Sequence, residues 1–119
     1  MNIASSILDK KYEEFYYKVF RLAPNMLAIS RMKDGIFMQV NDAFLTVLGY
    51  AREELIGKSS LEIGLFCNPQ DRANMIKMIK ANQPVRNVPI RFRSKDGRMV
   101  DTLFSADTLT VNNVPCLLT

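Results

Sequence analysis

Apolar residues recur along this chain with two different periods, and the changes of period mark its elements. Leu8, Tyr12, Phe15, Val19 and Leu22 follow one another at alternating steps of four and three, which puts them on one stripe of a helix. The pattern predicts a helix over residues 5–22, ended at Ala23, which the following Pro24 pushes out of helical geometry. Residues 26–32 then read as a strand, Asp34-Gly35 is a tight-turn signal, and residues 36–40 read as a second strand closing an antiparallel hairpin. Gln39 stands among apolar neighbours, which assigns Ile36, Met38 and Val40 to the buried face.

Short helices follow. Asn41 is a good N-cap with Asp42 in the first turn, and the helix over residues 43–48 stops at Gly49. A second, over residues 51–56, stops at Gly57, and Ser59 or Ser60 can cap a further turn through Glu62 and Ile63. Asn68-Pro69 opens a longer helix, with Asn68 at the cap, Pro69 at the first helical position and Met75, Ile76, Met78 and Ile79 on its apolar stripe. Period two then returns. Val88, Ile90 and Phe92 alternate with Pro89, Arg91 and Arg93, and after a Lys95-Asp96-Gly97 turn Val100, Thr102, Phe104 and Ala106 alternate with Asp101, Leu103, Ser105 and Asp107. Asn112-Asn113 marks another turn, and a last strand begins at Val114. The order predicts an α+β domain, a five-stranded antiparallel sheet with helices on one face and an N-terminal flanking helix.

Composition narrows the function. At 119 residues, 48% apolar and 24% charged, the chain fits one globular domain. About two-thirds of the unfolded surface is buried at this size, enough for a core and one modest cavity. No apolar run approaches the roughly 20 residues a membrane span needs. Residues 1–11 lack the pattern of a signal peptide, and Cys67 and Cys116 alone do not make a disulfide framework. The expectation is a cytoplasmic domain with reduced thiols and no membrane span in this segment. Sixteen basic against twelve acidic residues give a mild +4, with Arg86, Arg91, Arg93, Lys95 and Arg98 crowded together. A solvated sheet face, whose charge blocks strand aggregation, accounts for them. With no helix-turn-helix or zinc motif beside them, nucleic acid is not expected as a partner.

The chain has no histidine, so it lacks the commonest general base and the commonest metal and haem ligand. Asp101 and Asp107 lie six positions apart, about 20 Å along a strand, too far for paired acid–base work. No nucleophile–base pair, metal cluster or phosphate-binding glycine loop is present. The domain is expected to be non-catalytic and to hold no metal.

Several segments, taken in order, resemble the PAS (Per-Arnt-Sim) family. They are Ala23-Pro24-Asn25, Asp34-Gly35, Val40-Asn41-Asp42-Ala43-Phe44, Leu48-Gly49-Tyr50-Ala51-Arg52-Glu53-Glu54-Leu55-Ile56-Gly57, Asn68-Pro69-Gln70-Asp71-Arg72, Arg93-Ser94-Lys95-Asp96-Gly97 and Asn113-Val114-Pro115. The resemblance covers residues 15–119, behind a flanking helix over residues 1–22. The family's usual acidic-aliphatic-threonine ending is absent, which suggests a chain cut short of a downstream linker and effector.

The resemblance implies a sensory or regulatory module of a bacterial signalling protein, with a sensor histidine kinase as the first parent. A diguanylate cyclase-type protein or a transcription regulator is the alternative. It also implies a small apolar ligand between the inner sheet face and the helices, with walls from Met38, Phe44, Leu48, Ile56, Leu61, Ile63, Met75, Ile79, Ile90, Phe92, Thr102 and Phe104. All but Thr102 fit a filled, ligand-free core equally well, and the residues favour that filled core or a very small cavity. No cofactor is expected. Haem lacks its histidine, and Ser60 stands where the flavin-binding subfamily carries its reactive cysteine. Leu103, with Phe37 as a second candidate, leaves apolar surface on the outer sheet face, for which the stripe of Leu8, Tyr12, Phe15, Val19 and Leu22 is the natural cover, from the same or a partner chain. A homodimer follows from that reading. A ligand-free dimerisation scaffold is the rival.

Overall fold

In the computed structural model, which describes residues 3–119 and side chains from residue 11 onward, the elements follow the predicted order. They are α1 (Ile3–Leu22), β1 (Ala28–Arg31), β2 (Phe37–Val40), α2 (Asp42–Leu48), α3 (Arg52–Leu55), α4 (Pro69–Lys80), β3 (Val85–Arg93), β4 (Met99–Val111) and β5 (Val114–Leu118). The strands form one antiparallel sheet in the order β2-β1-β5-β4-β3. The central place of β5, the last strand, ties the N-terminal hairpin to the C-terminal one.

The signals read as caps act as caps. Asn41 accepts the N–H of Phe44 at the start of α2, and Gly49 ends that helix at φ 77°, a left-handed conformation glycine adopts without penalty. Asn68 accepts the N–H of Gln70 with Pro69 at the first position of α4. Of the two candidate serines, Ser59 takes the N–H of Glu62, whereas Ser60 is turned elsewhere.

The buried face of β2 differs from the expected one. Ile29 pairs with Gln39 but Ser30 pairs with Phe37, so Met38 is an extra residue in the ladder. A bulge of this kind breaks the period of two. Phe37 and Val40 therefore point into the core while Met38 and Gln39 face outward. Phe37 does not belong to the outer face. A second bulge lengthens β3 beyond its predicted start. Val85 pairs with Ala106 and Val88 with Phe104, so Arg86 and Asn87 together oppose Ser105, with Asn87 at φ 51°.

The core lies between the sheet and α2 to α4. Leu48 and Leu55 are its most enclosed side chains, and Phe66, Phe92 and Phe104 pack edge to face with centroids 5.3 to 6.1 Å apart. Four of the five crowded cations of β3 and its turn are spoken for by neighbours. Arg86 meets Asp107 at 3.2 Å, Arg91 meets Asp101 at 2.8 Å, Lys95 meets Glu54 at 2.6 Å, and Arg98 donates to the carbonyl of Val47 at 2.8 Å.

α1 does not lie over Leu103. It touches the domain through α2, with Arg21 and Asp42 3.3 Å apart and Phe20 half-buried. Tyr12, Phe15, Val19 and Leu22 are exposed, and so is Leu103 at 69%. Leu8 lies outside the residues whose side chains are described. Cover from the same chain is thus corrected: the stripe and the outer sheet face both remain open.

Candidate functional site

β5 pairs with β4 from Val111 back to Asp107, and residues 99–106 of β4 pair with β3. Thr119 exchanges both backbone hydrogen bonds with Ala28. Residues 24–27, residues 102–105 of β4 and the sheet-facing side of α4 line a cleft of about 870 Å³. That is within the range of small-molecule sites, roughly 300–1,000 Å³.

One end of the cleft is bordered by Asn25, Met26, Asn87, Leu103, Ser105 and Thr119, and the other by the β1–β2 turn from Arg31 to Gly35, Ser60 and Arg72. Between them the wall is aromatic and aliphatic: Phe37, Phe44, Leu65, Phe66, Met75, Ile79, Phe92 and Phe104. Of the twelve residues predicted to line a pocket, Phe44, Met75, Ile79, Phe92, Thr102 and Phe104 are brought together here. Thr102 keeps its hydroxyl occupied by donating to the carbonyl of Ile90 at 2.7 Å.

The other six lie elsewhere. Leu48 and Ile90 are buried in the core away from the cleft, and Ile63 is packed at its margin. Met38, Ile56 and Leu61 are exposed, each for a local reason. The β2 bulge turns Met38 out. The four-residue α3 buries Leu55, so its successor Ile56 faces away. The turn after Ser59 exposes Leu61, and the chain instead commits Leu65 and Phe66 to the core. Phe66 forms an isolated bridge to Phe92 on the edge strand β3, a contact with no periodic signature.

Sequence reasoning also passed over Arg72. It shares a helical face with Met75, Ile76 and Ile79, at spacings of three, four and seven, so the cleft-facing stripe of α4 starts with a cation. Its Nε donates to Ser60 Oγ at 2.9 Å, and a methyl group built on Gly35 would sit 3.1 Å from its Nη2. Among the described residues Asp34 is the only acidic side chain on the lining, and Arg31 already holds it with Nε at 3.0 and 3.1 Å from its two oxygens. That hydrogen bond keeps the Asp34 carboxyl below its ordinary range and raises Arg31 further. Cys116 is buried but not on the lining, and Cys67 is half-buried outside it. No described helix is long and apolar enough to cross a membrane.

The fold is a known one. The chain resembles the PAS domain of an HTR-like protein from Haloarcula marismortui, at 19% identity and TM-score 0.73 over 95% of this chain and 94% of the other. It resembles the PAS domain of a two-component sensor histidine kinase at 18% identity and TM-score 0.76, over 92% and 94%. The PAS domain of the fruit-fly ELK potassium channel matches at 15% identity and TM-score 0.68, over 90% and 93%. At such identities these likenesses speak for the fold alone. The family model described as "PAS domain" matches residues 24–115, and with the five-stranded sheet and its overlying helices this places the chain in the PAS domain family of sensory modules.

Proposed function

We propose that this chain is the sensory module of a cytoplasmic signalling protein, binding a small apolar ligand in the cleft and passing its occupancy to an effector. A bacterial sensor histidine kinase is the parent we favour, in keeping with the kinase PAS domain it resembles. The cleft carries this reading: about 870 Å³ bounded by five phenylalanines within an otherwise packed domain. An apolar space of that kind gains free energy from an apolar guest, about 25 cal/mol for each Å² removed from water. Occupancy would act on residues 23–27, which join α1 to β1, biasing two arrangements of the flanking helix. The residues proposed to act do so by packing and positioning, and no catalytic step is assigned to them.

Titration with benzene, followed by amide NMR, tests the cleft. The expected result is saturable shifts at Phe66, Met75, Phe92 and Phe104, abolished when Met75→Trp fills the space. Absence of shifts in the parent chain would overturn the reading. The exposed stripe on α1 favours a second reading, a dimerisation module that works without ligand.

A further inference from the structure

The cleft is apolar between its ends, its lining carries Arg31, Lys33, Arg72 and Lys80, and Arg72 is placed on it by the fold. Asn68 and Pro69 fix where α4 begins. That start sets the helical phase, and the phase puts Arg72 on the same face as Met75 and Ile79. A stripe that serves only to fill a core would carry another aliphatic side chain there, because arginine is seldom buried unless it is paired. Arg72 is half-buried, and among the described residues it has no carboxylate partner.

Among the described residues its one side-chain hydrogen bond is to a neutral hydroxyl, Ser60 Oγ. A guanidinium has five N–H donors in a fixed fork and remains charged at any physiological pH. Nε is taken, and the Nη groups keep the two-donor edge that suits a planar carboxylate. Neighbouring charge does not compete for it. Asp34 is already engaged by Arg31.

We infer that the cleft takes a single-chain amphipathic carboxylate, a fatty-acid anion, with its head group on the Arg72 guanidinium and its chain along Phe44, Phe66, Phe92 and Phe104. This rests on the cleft being a ligand site and adds the chemical class of the ligand. Both halves of such a molecule are matched. The chain lies along an aromatic wall, and the head forms charge-assisted hydrogen bonds with the Arg72 guanidinium, whose planar fork fits a carboxylate as the lining lysines Lys33 and Lys80 do not. An alcohol of equal length satisfies only the first half. A cationic amphiphile sets its charge against Arg72.

The test is calorimetric titration of the intact chain with dodecanoate, dodecanol and dodecyltrimethylammonium, each below its micellar concentration. Dodecanoate is expected to bind about ten- to a hundredfold more tightly than dodecanol, the range of a charge-assisted hydrogen bond, and the ammonium more weakly still. Arg72→Gln should erase the advantage of the carboxylate while leaving dodecanol unchanged, and Arg72→Lys should keep part of it. The dodecanol affinity also reports whether each variant retains its cleft. If dodecanol binds as tightly as dodecanoate, or Arg72→Gln leaves dodecanoate untouched, the anionic assignment fails and the ligand cleft stands. If none of the three binds, the cleft itself is not a ligand site.

Discussion

Asn41 accepts the backbone N–H of Leu27 on its Oδ1 at 2.9 Å, and the same oxygen takes the N–H of Phe44 at 3.1 Å. Its Nδ2 donates to the carbonyl of Asn25 at 2.8 Å. One fully buried side-chain amide therefore caps α2 and also holds the segment that leads from α1 into β1. Asn41→Ala removes the cap, at about 1 kcal/mol, and strands a part-buried N–H, at about 1–3 kcal/mol. The expected loss is about 2–4 kcal/mol in urea unfolding. A change below 0.5 kcal/mol, roughly the limit for an uninvolved surface site, would mean that the segment finds other partners.

Phe104 and Leu103 are neighbours on β4 with opposite fates. Phe104 packs on Phe66 and Phe92, while Leu103 stands on the outer face. Phe104→Ala should cost about 3–5 kcal/mol. Leu103→Ala, measured dilute enough to keep the chain monomeric, should stay within about 0.5 kcal/mol. Equal effects of the two variants would contradict the register of β4.

Four carboxylates give the fold a defined acid sensitivity. Asp34 is held below its ordinary value of 3.8 by the Arg31 guanidinium, and Asp42 below the same value by Arg52. Glu54 is held below 4.5 by Lys95, and Asp96 below 3.8 by the Ser94 hydroxyl. In each case the folded form binds its proton less readily than the unfolded chain does. Below the ordinary values the unfolded chain takes up more protons, so stability falls as pH drops. The contribution is complete at neutral pH and is lost from about pH 4.5 downward, through the lowered values. Arg31→Gln and Lys95→Gln should each flatten the decline of the urea midpoint between neutral pH and pH 3. An unchanged decline in both would show that these exposed pairs do not act on stability.

The fold was readable because its signals are local. Asn41, Gly49 and Asn68-Pro69 each dictate a helix boundary through a few neighbouring backbone groups, and strict alternation from Val88 to Phe92 and from Val100 to Ala106 declares which face is inward. The site was half readable for the same reason. Phe44, Met75, Ile79, Phe92, Thr102 and Phe104 lie on regular elements whose period points them inward. Met38 was misplaced by a single extra residue in a ladder, which alternation cannot register. Leu65 and Phe66 sit in irregular chain and owe their burial to contacts with β3 that are remote in sequence. Arg72 had a signal, its helical spacing to Met75 and Ile79, which an apolar stripe read for apolar residues alone leaves out.

The exposed face of α1 remains the least satisfied surface of the chain. Tyr12, Phe15, Tyr16, Val19 and Leu22 are each more than half exposed, as is Leu103 on the outer sheet face. Aromatic contacts within the helix, Tyr12 with Tyr16 at 6.4 Å and Phe15 with Tyr16 at 5.8 Å, gather these rings without covering them. A helix isolated in water gains little from propensity, and most helices in proteins are held by an apolar face that packs. Two chains related by a two-fold axis would let each helix find the other, or the other's outer sheet face. Sedimentation of the full chain against one starting at Ala23 separates these surfaces. The full chain is expected to self-associate and the shortened one to be monomeric at the same concentration. Phe15→Ser with Val19→Ser in the full chain should reproduce the effect of truncation. Equally tight association of all three proteins would remove α1 from the interface, and with it the idea that occupancy of the cleft reaches an upstream segment through the Asn41-anchored linker.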